Sequence, residues 1–301
     1  MKLVTFRTDD WSVTHAGVVR NDEIIALAYP TLLELLRDPN GLANAREADG
    51  EAFAFEEAQL LSPIPEPPSV RDFYAFEQHV KSARTKRGLD MIPEWYEIPT
   101  FYFTNNSEIY GHNQPVPYPV GSNELDFELE IACVIGRDGK DIPVEEAASY
   151  IAGYTIMNDW SARDFQRRDM KLNLGPGKGK DFSTSLGPWL ITPDELAAYR
   201  VPSASGEEGD ANARYDMTML ARVNGKEISR GNFRDIYYSF PQMIAYASRN
   251  ARLRVGDVIG SGTVGTGCLL EIGTEVHPWF QRGDVIELEI AGIGVLRNRI
   301  V

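Results

Sequence analysis

The sequence predicts a mixed α+β fold, predominantly β, with a small N-terminal β domain ahead of a larger one. Three observations point there. Residues 125–136, Leu-Asp-Phe-Glu-Leu-Glu-Ile-Ala-Cys-Val-Ile-Gly, alternate like a strand. Residues 214–295 hold many short strand patterns separated by Gly-Asp, Asn-Gly and Gly-Thr turns, with few helices. Between Leu61 and Pro68 runs a proline-rich connector, Leu-Ser-Pro-Ile-Pro-Glu-Pro-Pro, which divides a segment 1–65 from a segment 66–301. With 301 residues, 43% of them hydrophobic, one large unit plus a small one fits better than two equal halves.

In chain order, Lys2–Arg7, Ala16–Arg20 and Glu23–Ala28 read as strands, the last two joined by an Asn21-Asp22 hairpin turn. A short helix follows, opened by Thr31 as its cap. Residues 42–61 are Ala- and Glu-rich and are expected to be partly helical. Beyond the connector, the chain reads as helical from Asp72 through Val80, then irregular from Ile92 with a strand ending near Phe103. Pro143 and the acids after it begin a helix. Tyr154–Asp159 is a strand ending in Asn-Asp, Trp160–Arg168 a short helix, and residues 174–181 a glycine-rich loop. Pro202–Asn212, polar and acidic, is expected to be a surface loop.

Formal net charge is −14 and the isoelectric point is near 4.8, which argues against nucleic acid and anionic membrane as partners. Two cysteines, Cys133 and Cys268, make neither a disulfide framework nor a zinc pattern. No apolar run approaches membrane-span length, and the N-terminus lacks a signal-peptide core, so a soluble cytoplasmic protein is expected.

The strand at 125–136 places Phe127, Leu129, Ile131 and Cys133 on one face and Asp126, Glu128 and Glu130 on the other. Either that acidic face lies in water, or it is buried around a cation, because unpaired buried carboxylates each cost several kcal/mol. Asp72, Glu128, Glu130 and Asp159 offer oxygen ligands only, a hard set that selects Mg²⁺, Ca²⁺ or Mn²⁺ over zinc or copper. Taken singly, Asp72 also reads as a helix cap and Asp159 as a turn former. Of the four histidines (His15, His79, His112, His277), His79 has aromatic neighbours Phe73, Tyr74 and Phe76 and either serves as a general base or is a surface or interface histidine, the second being the commoner case for a histidine taken singly. Glu271, among apolar residues, is either an exposed strand position or a buried group that orients something cationic, such as an imidazole. Arg163 and Gln166 share a helix face, and Lys180 follows the glycine-rich loop. Together they can donate to an oxyanion or a substrate carboxylate, or they are ordinary surface residues. The glycine-rich loop is no Walker loop, since Gly-x-x-x-x-Gly-Lys-Ser/Thr is absent.

These pieces together resemble the fumarylacetoacetate hydrolase family. The matching stretches are Asp72-Phe73-Tyr74 with His79 five residues after the tyrosine, Leu125 to Glu130, Met157-Asn158-Asp159-Trp160-Ser161-Ala162-Arg163-Asp164 with Gln166, Gly179-Lys180, and Ser261-Gly262-Thr263 followed by Glu271. The resemblance covers roughly residues 66–301, and the spacing from Tyr74 to His79 is similar to the fumarylacetoacetase branch. It implies a mixed β-roll catalytic domain, a homodimer, and divalent-metal-dependent cleavage of a carbon–carbon bond in a β-diketo acid. Such an acid would be fumarylacetoacetate or an acylpyruvate, from aromatic catabolism. By position it implies Asp72, Glu128, Glu130 and Asp159 as ligands of Mg²⁺ or Ca²⁺ (Mn²⁺ also suits), His79 as base and Glu271 as its orienter. It implies Arg163, Gln166 and Lys180 as oxyanion donors, and Tyr74, Arg87, Tyr102, Gln166 and Thr263 as substrate contacts, with Lys180 and Thr184 near a second ion. The sequence departs from the family in having no tyrosine between Gln166 and Lys180, where Met170 falls. Arg87 is one of three basic residues with Arg84 and Lys86. A decarboxylase or keto–enol isomerase with the same metal, or a non-catalytic metal-binding module, are the other readings.

Overall fold

A computed structural model describes residues 1–8, 13–86, 88–202 and 210–301. Its centre is a mixed sheet of twelve strands among the described residues. In spatial order the main path runs Ala52–Ala54, Glu23–Ala26, His15–Arg20, Lys2–Thr8, Thr184–Ile191, Ile151–Asp159, Leu129–Ile135, Val258–Gly260, Val70–Phe73, Phe101–Thr104. Neighbours on this path are antiparallel except Val258–Gly260 with Val70–Phe73, which run parallel. A second sheet of five strands follows the order Lys226–Asn232, Thr218–Val223, Val285–Ile290, Gly294–Ile300, Pro115–Val116. The fold is thus mixed and predominantly β, as the alternating patterns predict.

The central strand Leu129–Ile135 is buried on both faces. Leu129, Ile131, Cys133 and Ile135 face a core shared with Met219, Ala221, Leu288 and Ile290 of the second sheet. Ala132 and Val134 face the opposite way, onto a core shared with Leu32, Leu33, Leu35 and Leu36. Those leucines line a helix, Leu32–Arg37, whose N-cap is Thr31 as expected. The Asn21-Asp22 hairpin forms with φ of 48° and 64°, the left-handed pair a two-residue turn requires.

Several elements differ from the sequence reading. Asp72 begins no helix: Val70–Phe73 is a strand, and the helix starts at Glu77 and runs to Thr85. Pairing with Val258–Gly260 on one side and Phe101–Thr104 on the other fixes this aromatic-rich stretch as strand. Residues 125–136 are not one strand but two, Leu125–Asp126 and Leu129–Ile135. The break arises because Leu125–Asp126 pairs with Ser161–Ala162 while the Asp126 side chain turns back onto the Phe127 N–H at 2.8 Å. For the same reason the helix expected from Trp160 starts only at Arg163 and ends at Asp169. Residues 42–61 are α-helical only through Arg46 and then form two short strands either side of a 3-10 turn, Phe55–Glu57. Most of the polar segment 202–212 lies outside the described residues, as does Arg87. No helix among the described residues is long and apolar enough to cross a membrane.

Candidate active site

Three sheet strands and one loop bring the predicted acids together. Gly260 pairs with Asp72 on one side and with Ala132 on the other, so Asp72 and Glu130 lean toward the same gap. Glu130 stands opposite Met157, which places Asp159 on the diagonal, at the strand's end. Trp160 fixes that end: it is fully buried and donates its indole N–H to Ser185 Oγ at 2.9 Å. One oxygen from each of Asp72, Glu128, Glu130 and Asp159 lies within 4.8 Å of the others. All four are buried, with Glu130 and Asp159 at 0% exposure, so the alternative of an acidic face in water is excluded.

Two glycines shape the space. A Cβ on Gly260 would meet Asp72 Oδ1 at 2.8 Å and Glu130 Oε2 at 3.0 Å, so only a bare Cα leaves room for both carboxylates. Gly262, at φ +77°, donates its N–H to Asp72 Oδ1 at 3.1 Å and to Glu130 Oε2 at 3.0 Å.

The charges do not balance from within. Burial and the neighbouring Asp159 push the Asp72 carboxyl well above its ordinary range, and burial and Asp72 do the same to Glu130. Burial also raises Asp159, against the pull of Lys180. Glu128 is the exception. Burial works to raise it, but Lys180 and Arg163 more than offset this and hold it down to about 2. Lys180 Nζ sits 2.5 Å from Glu128 Oε2 and 2.7 Å from Asp159 Oδ2. Arg163 donates from Nη2 to Glu128 Oε1 and from Nε to Asp126 Oδ2, each at 2.8 Å. Glu130 Oε1 and Asp159 Oδ1 are buried without a hydrogen-bond partner among the described residues. Oxygen donors, orphaned buried oxygens and excess negative charge are what a hard divalent cation satisfies. The residues present therefore fit such an ion.

Across the same cavity, of about 270 Å³, stands His79. Its Nδ1 lies 2.9 Å from Glu271 Oε2. Burial raises the Glu271 carboxyl, but the His79 hydrogen bond and charge together with bonds from Thr266 and Ser82 lower it, so Glu271 is the carboxylate acceptor and Nδ1 carries the proton. That leaves the lone pair on Nε2. Glu271 is on no strand: it sits on a one-turn helix, Leu269–Ile272, and is 9% exposed. Tyr74 packs its ring edge-on to His79, centroids 5.5 Å apart.

Tyr74, Tyr102, Gln166 and Thr263 all line the cavity, with Met170 at its side. Thr263 Oγ1 is buried without a partner among the described residues. The Tyr102 hydroxyl is committed to Asp159 Oδ2, and Gln166 Oε1 accepts from Arg163 Nη1 at 3.0 Å. Thr184 stands opposite Asp159 in the sheet, its Oγ1 buried and without a partner among the described residues.

The sequence reading missed Asp126 as a partner of Arg163. Its signal was present, a third acid in register with Glu128 and Glu130. It also missed Gly260, and it holds Gly262 only as part of the stretch Ser261-Gly262-Thr263, since the roles of both depend on what approaches them in space.

A family model described as fumarylacetoacetate (FAA) hydrolase C-terminal matches residues 69–301. The fumarylacetoacetase of Arabidopsis thaliana is 33% identical over 241 residues, 67% of this chain and 57% of that one. The chain therefore spans less than two thirds of that relative's length. Two solved structures are similar over 100% of this chain and 99% of their own, both at 26% identity. They are a 5-carboxymethyl-2-hydroxymuconate delta-isomerase from Mycobacterium smegmatis, TM-score 0.73, and a fumarylacetoacetate hydrolase from psychrophilic Exiguobacterium antarcticum, TM-score 0.72.

Proposed function

Because the chain belongs to the fumarylacetoacetate hydrolase family, we propose that it hydrolyses a carbon–carbon bond in a β-diketo acid, fumarylacetoacetate or an acylpyruvate, with a divalent cation. The observation that carries this reading is a cavity lined by His79, which is bonded to Glu271, and by Asp72 and Glu128, two of four converging buried acids.

Asp72, Glu128, Glu130 and Asp159 hold the cation, and their oxygen-only character favours Mg²⁺ or Ca²⁺, with Mn²⁺ acceptable. When bound, the cation supplies Lewis-acid polarisation of the dicarbonyl and charge stabilisation. Glu271 keeps the His79 proton on Nδ1, so Nε2 takes a proton from water, which adds to the carbonyl. The adduct then breaks the carbon–carbon bond, releasing a carboxylic acid and an enolate that takes the proton back from Nε2 to become the ketone product. Lys180 and Arg163, with Gln166 beside them, bring positive charge and N–H donors to the oxyanion, worth about 3–4 kcal/mol per donor in comparable sites. Tyr74, Tyr102 and Thr263, which line the cavity, contact the substrate. The catalytic part is residues 66–301, working as a cytoplasmic homodimer, for which light scattering should give twice 33.6 kDa.

A second reading keeps the site and changes the reaction to keto–enol isomerisation or decarboxylation. One solved structure similar to this chain is named an isomerase, and Met170 brings no hydroxyl to the cavity wall. The test is an assay of β-diketo acids and oxaloacetate with Mg²⁺ and with chelator, for wild type, His79→Ala and Glu130→Ala. Hydrolysis lost in His79→Ala with metal binding retained supports the base role. Undiminished hydrolysis after chelation removes the mechanism, and turnover of oxaloacetate alone selects the second reading.

A further inference from the structure

Beside the acidic cluster lies a second group of metal-ligating side chains with different chemistry. A ring nitrogen of His79, the Cys268 thiol and a Glu271 oxygen lie within 4.8 Å of one another. They supply one nitrogen, one sulfur and one oxygen, where the acidic cluster supplies oxygen alone. Cys268 is 0% exposed and His79 6%, yet His79 lines the cavity, which gives a path from solvent.

Backbone geometry holds the three in place. Cys268 is the N-cap of the helical turn Leu269–Ile272 that carries Glu271, so two of the donors belong to one turn. Asp126 clamps that turn by accepting from the N–H groups of Leu269 and Leu270 at 2.7 and 3.0 Å. His79 arrives from a separate helix, Glu77–Thr85, already bonded to Glu271.

We propose that His79, Cys268 and Glu271 form a soft-metal site that takes Zn²⁺, and that zinc bound there inhibits the enzyme by occupying the base. Thiolate and imidazole select Zn²⁺ over Mg²⁺ and Ca²⁺. Tetrahedral zinc with its usual bond lengths sets ligand atoms about 3.3–3.8 Å apart, so His79 Nδ1 and Glu271 Oε2, now 2.9 Å apart, need to open by about 0.5 Å and the Cys268 sulfur to close by about 1 Å. The thiol proton leaves to solvent, and zinc replaces the hydrogen bond between His79 Nδ1 and Glu271, so the ring proton moves through solvent from Nδ1 to Nε2. A neutral imidazole, one thiolate and one carboxylate then cancel the ion's charge, which suits a buried site. Water would take the fourth position. A neutral imidazole has a single lone pair, and once that pair binds zinc none remains to accept a proton from water.

The inhibitory half rests on the base role of His79, and the binding half does not. Both are tested on the full chain saturated with Mg²⁺, using Co²⁺ as a spectroscopic probe and Zn²⁺ as inhibitor. Wild type should show thiolate-to-cobalt charge-transfer absorption that zinc abolishes. Cys268→Ser should lose the band and need at least tenfold more zinc for half inhibition, relative to its own zinc-free rate. The only other thiol, Cys133, is buried in the apolar core, and His79→Ala, which also should lose the band, serves if Cys268→Ser folds poorly. Cobalt bound without the band, or unchanged zinc sensitivity in Cys268→Ser, overturns the site. A thiolate band with activity untouched by zinc leaves the site standing and overturns the inhibition, and with it the role of His79 as base.

Discussion

Asp126 accepts a 2.8 Å bond from Arg163 Nε, and with both residues almost wholly buried this ion pair has no water to replace it. The same carboxylate accepts from the N–H groups of Phe127, Leu269 and Leu270. It thereby links Arg163, on the cation side of the cavity, to the turn that carries Glu271 on the imidazole side.

Removing that link should cost both stability and rate. Breaking a buried pair by deleting one partner costs about 3–5 kcal/mol, because the remaining charge stays buried. Asp126→Ala should lower unfolding stability by about that amount, read from the urea midpoint at constant slope. Asp126→Asn, which keeps an acceptor for the backbone N–H groups, should lose less stability. It should still lower kcat, because Arg163 then has only Glu128 and Gln166 to hold it.

His79 and Glu271 give a second prediction. A positioned general base contributes about 10²–10⁴-fold. His79→Ala should lower kcat by about that factor, while thermal stabilisation by Mg²⁺ stays as in wild type. Glu271→Gln should lower kcat with KM little changed, since an amide can donate to Nδ1 and so allow the unproductive tautomer. A loss confined to KM would place the pair in substrate binding and not in proton transfer.

How far the sequence reached is clear from particular residues. The acids of 126–130 were legible because a strand's period of two marks its faces, and their burial follows from a strand covered on both sides by apolar layers. The helical turn at Glu271 was not legible, since four residues carry no periodicity that separates helix from strand. Asp72 reads as helical in sequence because its partners, Gly260 and Tyr102, lie far away in the chain, and strand pairing outweighs local pattern. Gly260 and Gly262 are silent in sequence for the same reason: each is required by side chains or backbone contributed from elsewhere.

The acidic cluster ties stability to pH. Asp72, Glu130 and Asp159 have carboxyls raised above their ordinary 3.8, 4.5 and 3.8, so without metal the folded chain keeps protons that the unfolded chain has lost. Stability then falls as pH rises above about 4, because the folded state binds more protons. Glu128, held down to about 2, acts oppositely: its contribution is present above its ordinary 4.5 and is lost as pH falls through about 2. A divalent cation replaces the protons of the three raised acids. The gain in Tm from Mg²⁺ or Ca²⁺ should therefore be larger at about pH 8 than at about pH 5.5, and other titrating groups cancel in that difference. Scanning fluorimetry with and without chelator measures it. A gain that shrinks with rising pH would mean the cation does not bind these acids.

Gly262 offers the sharpest separation of site from scaffold. Its φ of +77° disfavours any side chain, and a Cβ would come within 2.5 Å of the Phe73 carbonyl oxygen, a backbone atom with nowhere to go. Gly262→Ala must therefore shift the loop whose N–H holds both Asp72 and Glu130. Gly225 is the control: its φ is +81°, but a Cβ there meets nothing within 4 Å. Gly225→Ala carries only the conformational penalty, about 1 kcal/mol, and should leave cation affinity unchanged. Gly262→Ala should weaken Mg²⁺ or Ca²⁺ binding at least tenfold by calorimetry and lower activity in step. Equal affinities in the two variants would show that Asp72 and Glu130 are not held for a cation by this loop.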